Sequence, residues 1–424
     1  MPFNYLTKAQ QPSEGETFEG GLRISVLSTI GLIPIENATV IISYTGDPQT
    51  PLMTLTTDES GQTPPIMLSA PDLEYSLEPE QLVQPYSEYN ITVTAEGYEP
   101  VLVSGTEILP DVTAIQSIRM TPIEEGETEE DIIIPDHTLF GEYPPKIPED
   151  EIKPMDESGE IVLSRVVIPE YVIVHDGVPS DPTAQNYYVR YKDYIKNVAS
   201  SEIYATWPEA ALYANILVIM SFTMNRVYTE WYRNQGYDFT ITSSTAYDQK
   251  WIHGRNIFEN IDMLVDNIFA NYLSRPGVRQ PIFTSYCDGK RVDCSGLSQW
   301  GSKYLADEGY SPIEIIRYYY GNDMYINTAD EIAGIPSSWP GYNLTIGSSG
   351  PKVRQAQEQL NRIAQNYPAI PKIVADGIYG QRTADSVRIF QGIFDLPQTG
   401  VIDYATWYEI SDIYVGVTRI SEPD

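Results

Sequence analysis

Three groups of side chains in this 424-residue chain are of types that could do chemistry. The first is a carboxyl, Glu202, in the run Tyr194-Ile195-Lys196-Asn197-Val198-Ala199-Ser200-Ser201-Glu202-Ile203, shortly before Trp207-Pro208-Glu209-Ala210. A carboxyl held beside apolar groups keeps its proton above the unperturbed pKa of about 4.3 and can serve as a general acid. On its own residues, however, Glu202 reads as a helix-proximal surface carboxylate. The second group is Cys287 and Cys294, with six residues between them. A structural zinc site takes four ligands, and His175 and His253 are remote in sequence. A disulfide or free thiols is therefore the first expectation, and zinc the alternative. The third group is aromatic: among 32 Tyr and 6 Trp, the rings of Trp207, Tyr247 and Trp300 are placed to stack on sugar faces. Against that stands the plain reading that most such rings half-bury.

The elements that must position these groups follow from periodicity and punctuation. Thr206, Pro208 and Glu209 together read as a helix start, with Thr206 as N-cap and the helix running to about Trp231. Further helices are expected at Phe258–Leu273 and Gly296–Glu308, within a mixed α/β region at 162–335. Ahead of it, residues 1–123 read as an all-β sandwich, with alternating strands at Leu22–Leu27, Thr39–Tyr44 and Tyr89–Ala95. Between the two, residues 124–161 form an acidic stretch with prolines at 135, 144, 145, 148 and 154. Repelling charges and missing backbone donors predict an extended, exposed linker open to proteases. The last segment, 340–424, pairs two amphipathic helices, Val353–Ile363 and Thr383–Phe394, across the turn Asp376-Gly377-Ile378-Tyr379-Gly380.

Charge narrows the function classes. The formal net charge is −33, and residues 1–160 hold 30 acidic against 5 basic side chains. A surface this anionic excludes nucleic acid as a partner, because phosphate binding needs Lys and Arg. The longest apolar run, Ala210–Met224, is short of a membrane span and carries Asn215 and Ser221, so a buried helix is expected. Met1-Pro2-Phe3-Asn4-Tyr5 shows no basic and then apolar leader, so synthesis without a classical signal peptide is expected.

The Glu202 segment resembles the catalytic segment of the SpoIID family. Gly296-Leu297-Ser298-Gln299-Trp300-Gly301-Ser302, with Glu308-Gly309-Tyr310 and Tyr318-Tyr319-Tyr320-Gly321, resembles that family's closing motif. The resemblance implies lytic transglycosylation of peptidoglycan, with Glu202 as the acid/base and Gln299 and Trp300, beside Trp207 and Tyr247, contacting glycan. It also implies a zinc near the cleft, which would fall to Cys287 and Cys294. Met220 stands where relatives carry an arginine. The tail, from Ile346-Gly347-Ser348-Ser349-Gly350 through Phe390-Gln391 to Thr406-Trp407, resembles a three-helix peptidoglycan-binding domain. There Asp376 is a candidate ligand contact, although such an Asp more often shapes the turn.

The whole order resembles the family of clostridial spore cortex-lytic enzymes of the SleC type, most clearly at Tyr143-Pro144-Pro145-Lys146-Ile147-Pro148-Glu149-Asp150 and Tyr367-Pro368-Ala369-Ile370-Pro371-Lys372. That resemblance implies a spore-stored zymogen made in the mother cell and acting in germination on cortex peptidoglycan bearing muramic-δ-lactam. Activation by a subtilisin-like Csp protease would cut between Asp156 and Ile168. The sandwich would cover the Glu202 cleft, and its negative field would repel anionic wall polymer. Two other classes compete: a catalytically inactive wall-targeting module of a phage tail-like particle, and a muramoyl-alanine amidase.

Overall fold

The computed structural model of the protein describes residues 18–80, 82–123, 130–153, 165–293 and 295–418. Its front third alternates apolar and polar residues, and eight strands result: β1 (Phe18–Ser28), β2 (Thr39–Tyr44), β3 (Asp47–Thr56), β4 (Ile66–Ala70), β5 (Ser87–Thr94), β6 (Val101–Ile108), β7 (Thr113–Met120) and β8 (Glu130–Ile133). A short helix, α1 (Glu74–Leu77), lies between β4 and β5. One sheet has the order β3-β2-β5-β6-β8. The other contains β4, β1 and β7, with β1 and β7 parallel. Leu22, Ile24 and Val26 of β1 point inward, and Val40, Ile42, Ile91 and Val93 join them in the core.

The middle region begins with β9 (Val167–Ile168), β10 (Tyr171–His175) and β11 (Asn186–Arg190). Helices α2 (Tyr191–Glu202) and α3 (Glu209–Tyr228) follow, then β12 (Ile241–Thr242), β13 (Ile257–Phe258) and α4 (Glu259–Ile268). Next come β14 (Asn271–Ser274), β15 (Tyr286–Cys287), β16 (Leu297–Ser298), α5 (Gln299–Asp307), α6 (Pro312–Tyr320), β17 (Tyr325–Thr328) and β18 (Glu331–Ile332). Helix α3 is apolar nearly all round and, at 20 residues, long and apolar enough to cross a membrane by length and composition only. Here α2, α4, α5 and α6 pack around it, and 83% of its most apolar window is buried. The C-terminal region has three helices, α7 (Pro351–Ile363), α8 (Gln381–Ile393) and α9 (Tyr404–Thr418).

Four expectations are corrected by tertiary context. The long helix starts at Glu209 with Pro208 as N-cap, and no side chain caps it. Thr206 is not the cap, because its hydroxyl donates to Ser76 of α1 at 2.7 Å. The helix expected at Phe258–Leu273 stops at Ile268, and Asn271–Ser274 turns into a strand paired with β17. The acidic stretch is not an exposed spacer over its described part. Ile134, His137, Thr138, Leu139 and Tyr143 are buried, and β8 adds to a sheet beside β6.

Nor do residues 1–123 form a separate cover. Strand β13 of the middle region extends the sandwich, pairing antiparallel with β7 at Ile257↔Ile115 and Phe258↔Ala114. Beside it, Arg255 reaches Glu107 at 2.7 Å, and both side chains are almost fully buried. The C-terminal helices dock on both: Tyr367 donates to the Leu32 carbonyl at 3.1 Å, and Lys192 holds Glu409 at 2.6 Å.

Candidate active site

Glu202 is the last residue of α2, not the forerunner of the long helix, and it is wholly buried. Nearly every residue of α2 is covered, so its C-terminal turn ends inside the molecule. The carboxyl is held from two distant parts of the chain. The backbone N–H of Lys250 donates to Oε1 at 2.7 Å, and the Gln299 amide approaches Oε2 at 3.4 Å. The Tyr286 hydroxyl adjoins the carboxyl, close enough to lower its pKa, but short of well-formed hydrogen-bond geometry.

Paired amides hold this arrangement in register. Asn197 Nδ2 donates to the Ile252 carbonyl at 2.7 Å, and the Ile252 N–H returns a bond to Asn197 Oδ1 at 3.0 Å. Tyr194 and Thr223 both donate to Gln249 Oε1, at 3.0 and 2.8 Å. The segment 249–252 is thereby pinned between α2 and α3, which aims the Lys250 N–H at Glu202. On the far side, Asn215 of α3 donates to Ser302 Oγ at 2.7 Å, and Ser302 donates to the Gln299 carbonyl at 2.6 Å. That fixes the first turn of α5. Gly296 lets the closing motif approach, since a Cβ there would lie 1.5 Å from the Ser285 carbonyl oxygen.

Burial raises the Glu202 pKa above the usual carboxylate range. The ammonium of Lys146, the Lys250 N–H and Tyr286 oppose that rise. Lys146 comes from the acidic stretch. Its Nζ donates to the Asp248 carbonyl at 2.7 Å and lies 4.4 Å from the centre of the Tyr286 ring. Burial in turn depresses the Lys146 pKa.

The remaining expected site residues divide. Gln299 joins Glu202, as described. Tyr247 lies partly exposed next to Asp248, its carbonyl accepting from Arg226 at 3.2 Å. Trp207 and Trp300 are corrected as groove walls, for they are 3% and 2% exposed and pack on each other at 4.9 Å. The Trp207 indole N–H donates to the Ser76 carbonyl of α1 at 3.0 Å, so the sandwich seals this aromatic pair. Asp376 accepts from the Ile378 N–H at 2.9 Å and from Gln357 at 3.2 Å, which is the turn-shaping geometry. Met220 is buried in α3.

Cys287 is disulfide-bonded, and the chain's other cysteine, Cys294, lies outside the described residues. A disulfide sulfur has no thiolate to offer a metal. Among the described residues, no group of three or more His, Cys, Asp or Glu side chains could hold one. The described side chains do not fit zinc. Of the expected cleavage region, residues 156–164 lie outside the described residues, while Ile168 ends β9.

Sequence reasoning missed Asn197, Gln249, Lys250 and Lys146. Asn197 stood within the motif that singled out Glu202; the others carry no pattern that ties them to it. Arg226 was missed as well. It is buried on α3, with Nε on Asp248 at 2.7 Å and its two terminal nitrogens on Glu149 at 2.7 and 2.6 Å.

Residues 349–410 match the family described as peptidoglycan binding domain. No curated protein matches the chain. Among solved structures it is similar to the Bacillus anthracis TIE protein, at 14% identity and a TM-score of 0.18, over 25% of this chain and 17% of that one. It is similar to the minor pilin GBS52 of Streptococcus agalactiae, at 16% identity and 0.19, over 26% and 48%. It is also similar to catechol 1,2-dioxygenase of Acinetobacter sp. ADP1, at 14% identity and 0.20, over 29% and 61%. The chain thus spans less than two thirds of each of these structures, and likenesses this slight carry no argument about its activity.

Proposed function

We propose that this chain, which carries a wall-associating peptidoglycan-binding domain at 349–410, is a peptidoglycan lytic transglycosylase with Glu202 as its acid/base. The observation that supports the reading is the meeting of two segments 97 residues apart, which brings the Gln299 amide to the buried Glu202 carboxyl. Burial favours the neutral carboxyl, the form that can donate a proton at neutral pH. Glu202 protonates the glycosidic oxygen as the bond from muramic acid C1 breaks, and the oxygen leaves as a hydroxyl. The C6 hydroxyl of the same muramic acid then attacks C1, closing a 1,6-anhydro ring. Its proton passes to the Glu202 carboxylate, which regenerates the acid. Water is not a reactant, so no second carboxylate and no cofactor are needed.

In its finer form, the substrate is spore cortex bearing muramic-δ-lactam and the chain is a germination zymogen activated by a Csp-type protease. The resemblance at residues 143–150 and 367–372 motivates this form. The competing reading is a wall-binding protein without catalysis, and the complete burial of Glu202 favours it. Glu202→Gln, made in the chain activated by proteolysis between Asp156 and Ile168, separates the two. Loss of anhydro-muramic ends from digested cortex, with binding to peptidoglycan kept, supports the enzyme. Unchanged digestion products overturn it.

A further inference from the structure

We propose that residues 137–153 are an autoinhibitory strap, with the Lys146 ammonium seated where the reacting sugar would lie against Glu202. This rests on the reading of Glu202 as the acid. The strap follows the sandwich in the chain and runs across the end of α2. His137 stacks on Tyr204 at 4.5 Å, and the Thr138 N–H donates to the Ser201 carbonyl, one residue from Glu202, at 3.2 Å. Tyr143 is buried, near enough that the Glu202 charge raises its phenol pKa further, after burial itself. Lys146 comes next, on the Asp248 carbonyl and the Tyr286 ring. The Ile147 N–H donates to the Ala246 carbonyl at 2.9 Å.

Beyond Lys146 the strap is clamped. Glu149 lies between Arg226 and Lys153, each within 2.7 Å. Glu151 meets Arg275, and its carbonyl accepts from the Phe283 N–H at 3.0 Å. The Lys153 N–H donates to Gln280 at 3.0 Å, and its ammonium sits 3.8 Å from the centre of the Phe283 ring. At the other end, Arg291 binds the carbonyls of Thr138 and Gly141.

Charge explains why a lysine lies beside Glu202 and the Tyr286 ring. Glycosidic bond cleavage passes through a sugar with positive charge developing at C1. A site that sets a carboxylate and an aromatic ring against such a charge also accommodates an ammonium. Lys146 is one of only two basic side chains among residues 124–160, which hold 14 acidic ones. It is the strap residue whose charge opposes the burial cost at Glu202. The inhibitor is then the strap, with the sandwich as its anchor, rather than the sandwich or its negative field.

The test uses the full chain with residues 143–151 replaced by Gly and Ser at equal length, which keeps the connection but removes Tyr143, Lys146 and Glu149. A soluble glycan tetrasaccharide of peptidoglycan is the probe. Hydrogen-exchange protection at 197–203 and 248–252 reads binding in the cleft, and anhydro-muramic ends from purified cortex read chemistry. The unaltered chain should show neither. The replaced chain should show both, with release at least about a hundred-fold above the unaltered chain, within the range of a general acid's contribution. Protection in the unaltered chain, or none in the replaced chain, overturns the strap. Protection gained without anhydro ends supports the strap and sinks the acid role of Glu202. Should the replaced chain lose its cooperative melt, K146S/E149S in the full chain takes its place under the same two readouts. Binding gained supports the proposal, and binding still absent overturns it.

Discussion

Glu202 combines two properties that a surface carboxylate lacks, burial and a fixed orientation. The Lys250 N–H holds Oε1, while Gln299 reaches toward Oε2 and leaves its own buried Oε1 without a hydrogen-bond partner. That orphaned oxygen makes Glu202→Gln a clean substitution. If the Gln299 amide flips, its oxygen accepts from the new NH2, so the contact between the two side chains is kept. Because burial already disfavours the carboxylate, a neutral amide adds no desolvation cost. In the chain with residues 143–151 replaced, where Lys146 is gone and release is expected, we expect the melting temperature to hold or rise on Glu202→Gln, while anhydro-end release falls by about 10²–10⁴-fold, the usual weight of a general acid. A variant that melts far below the parent would show that Glu202 is chiefly structural.

At the scale of elements, the closing motif depends on how near its chain can come to Ser285. Gly296→Ala would drive a Cβ into a backbone carbonyl that has no side-chain freedom to retreat. A loss of about 1–3 kcal/mol is expected from such overpacking, read as a lower urea midpoint. A second element-scale prediction concerns α4 and α9. Asp262 and Asp266 of α4 face Lys192 and Lys196 of α2 and Glu409 and Asp412 of α9. Burial pushes Asp262 up from 3.8 to about 7, whereas the two ammonium groups hold Asp266 below its usual range despite its own burial. A raised carboxyl pKa means that the folded form keeps a proton which the unfolded chain releases near pH 4. The stability linked to Asp262 is therefore full below about pH 4 and lost as pH rises to about 7. Asp262→Asn should flatten that decline, so its melting temperature gains on the parent at pH 8 relative to pH 5. An identical pH slope in both proteins would count against the shift.

For the whole molecule, the sandwich, the middle region and the C-terminal helices share one buried hydrophobic cluster. Strand β13 completes a sheet of the sandwich, and Arg255 and Glu107 form a buried ion pair across the same boundary. Removing one partner of such a pair strands a buried charge, typically at about 3–5 kcal/mol. We therefore expect a single cut between residues 154 and 164 to leave the two fragments together, co-eluting on size-exclusion chromatography at neutral pH. Separation of the fragments without denaturant would show the boundary to be weaker than its contacts imply. If they stay together, any activation by such a cut must act by loosening the strap rather than by shedding the sandwich.

Local pattern was enough for some of this. Period-two alternation placed β1, β2 and β5, and the amphipathic spacing of 353–363 and 383–394 placed α7 and α8 to within two residues. The C-terminal wall-binding segment was legible because short helices and a Gly turn lie close together in the chain, and the family match at 349–410 agrees. The run holding Glu202 and the run holding Gln299 were both visible, but their contact was not, since a pattern does not encode distance across 97 residues. Composition actively misled over the acidic stretch. It counts charges and prolines, whereas burial is decided by the few residues, Ile134, Leu139 and Tyr143, that find a partner surface. Thr206 and Trp207 were read as cap and groove for the same reason, because Ser76 of a distant helix takes both their donors. Sequence fixes which groups can donate, accept or carry charge; only the folded chain decides which of them meet, because that depends on long-range packing.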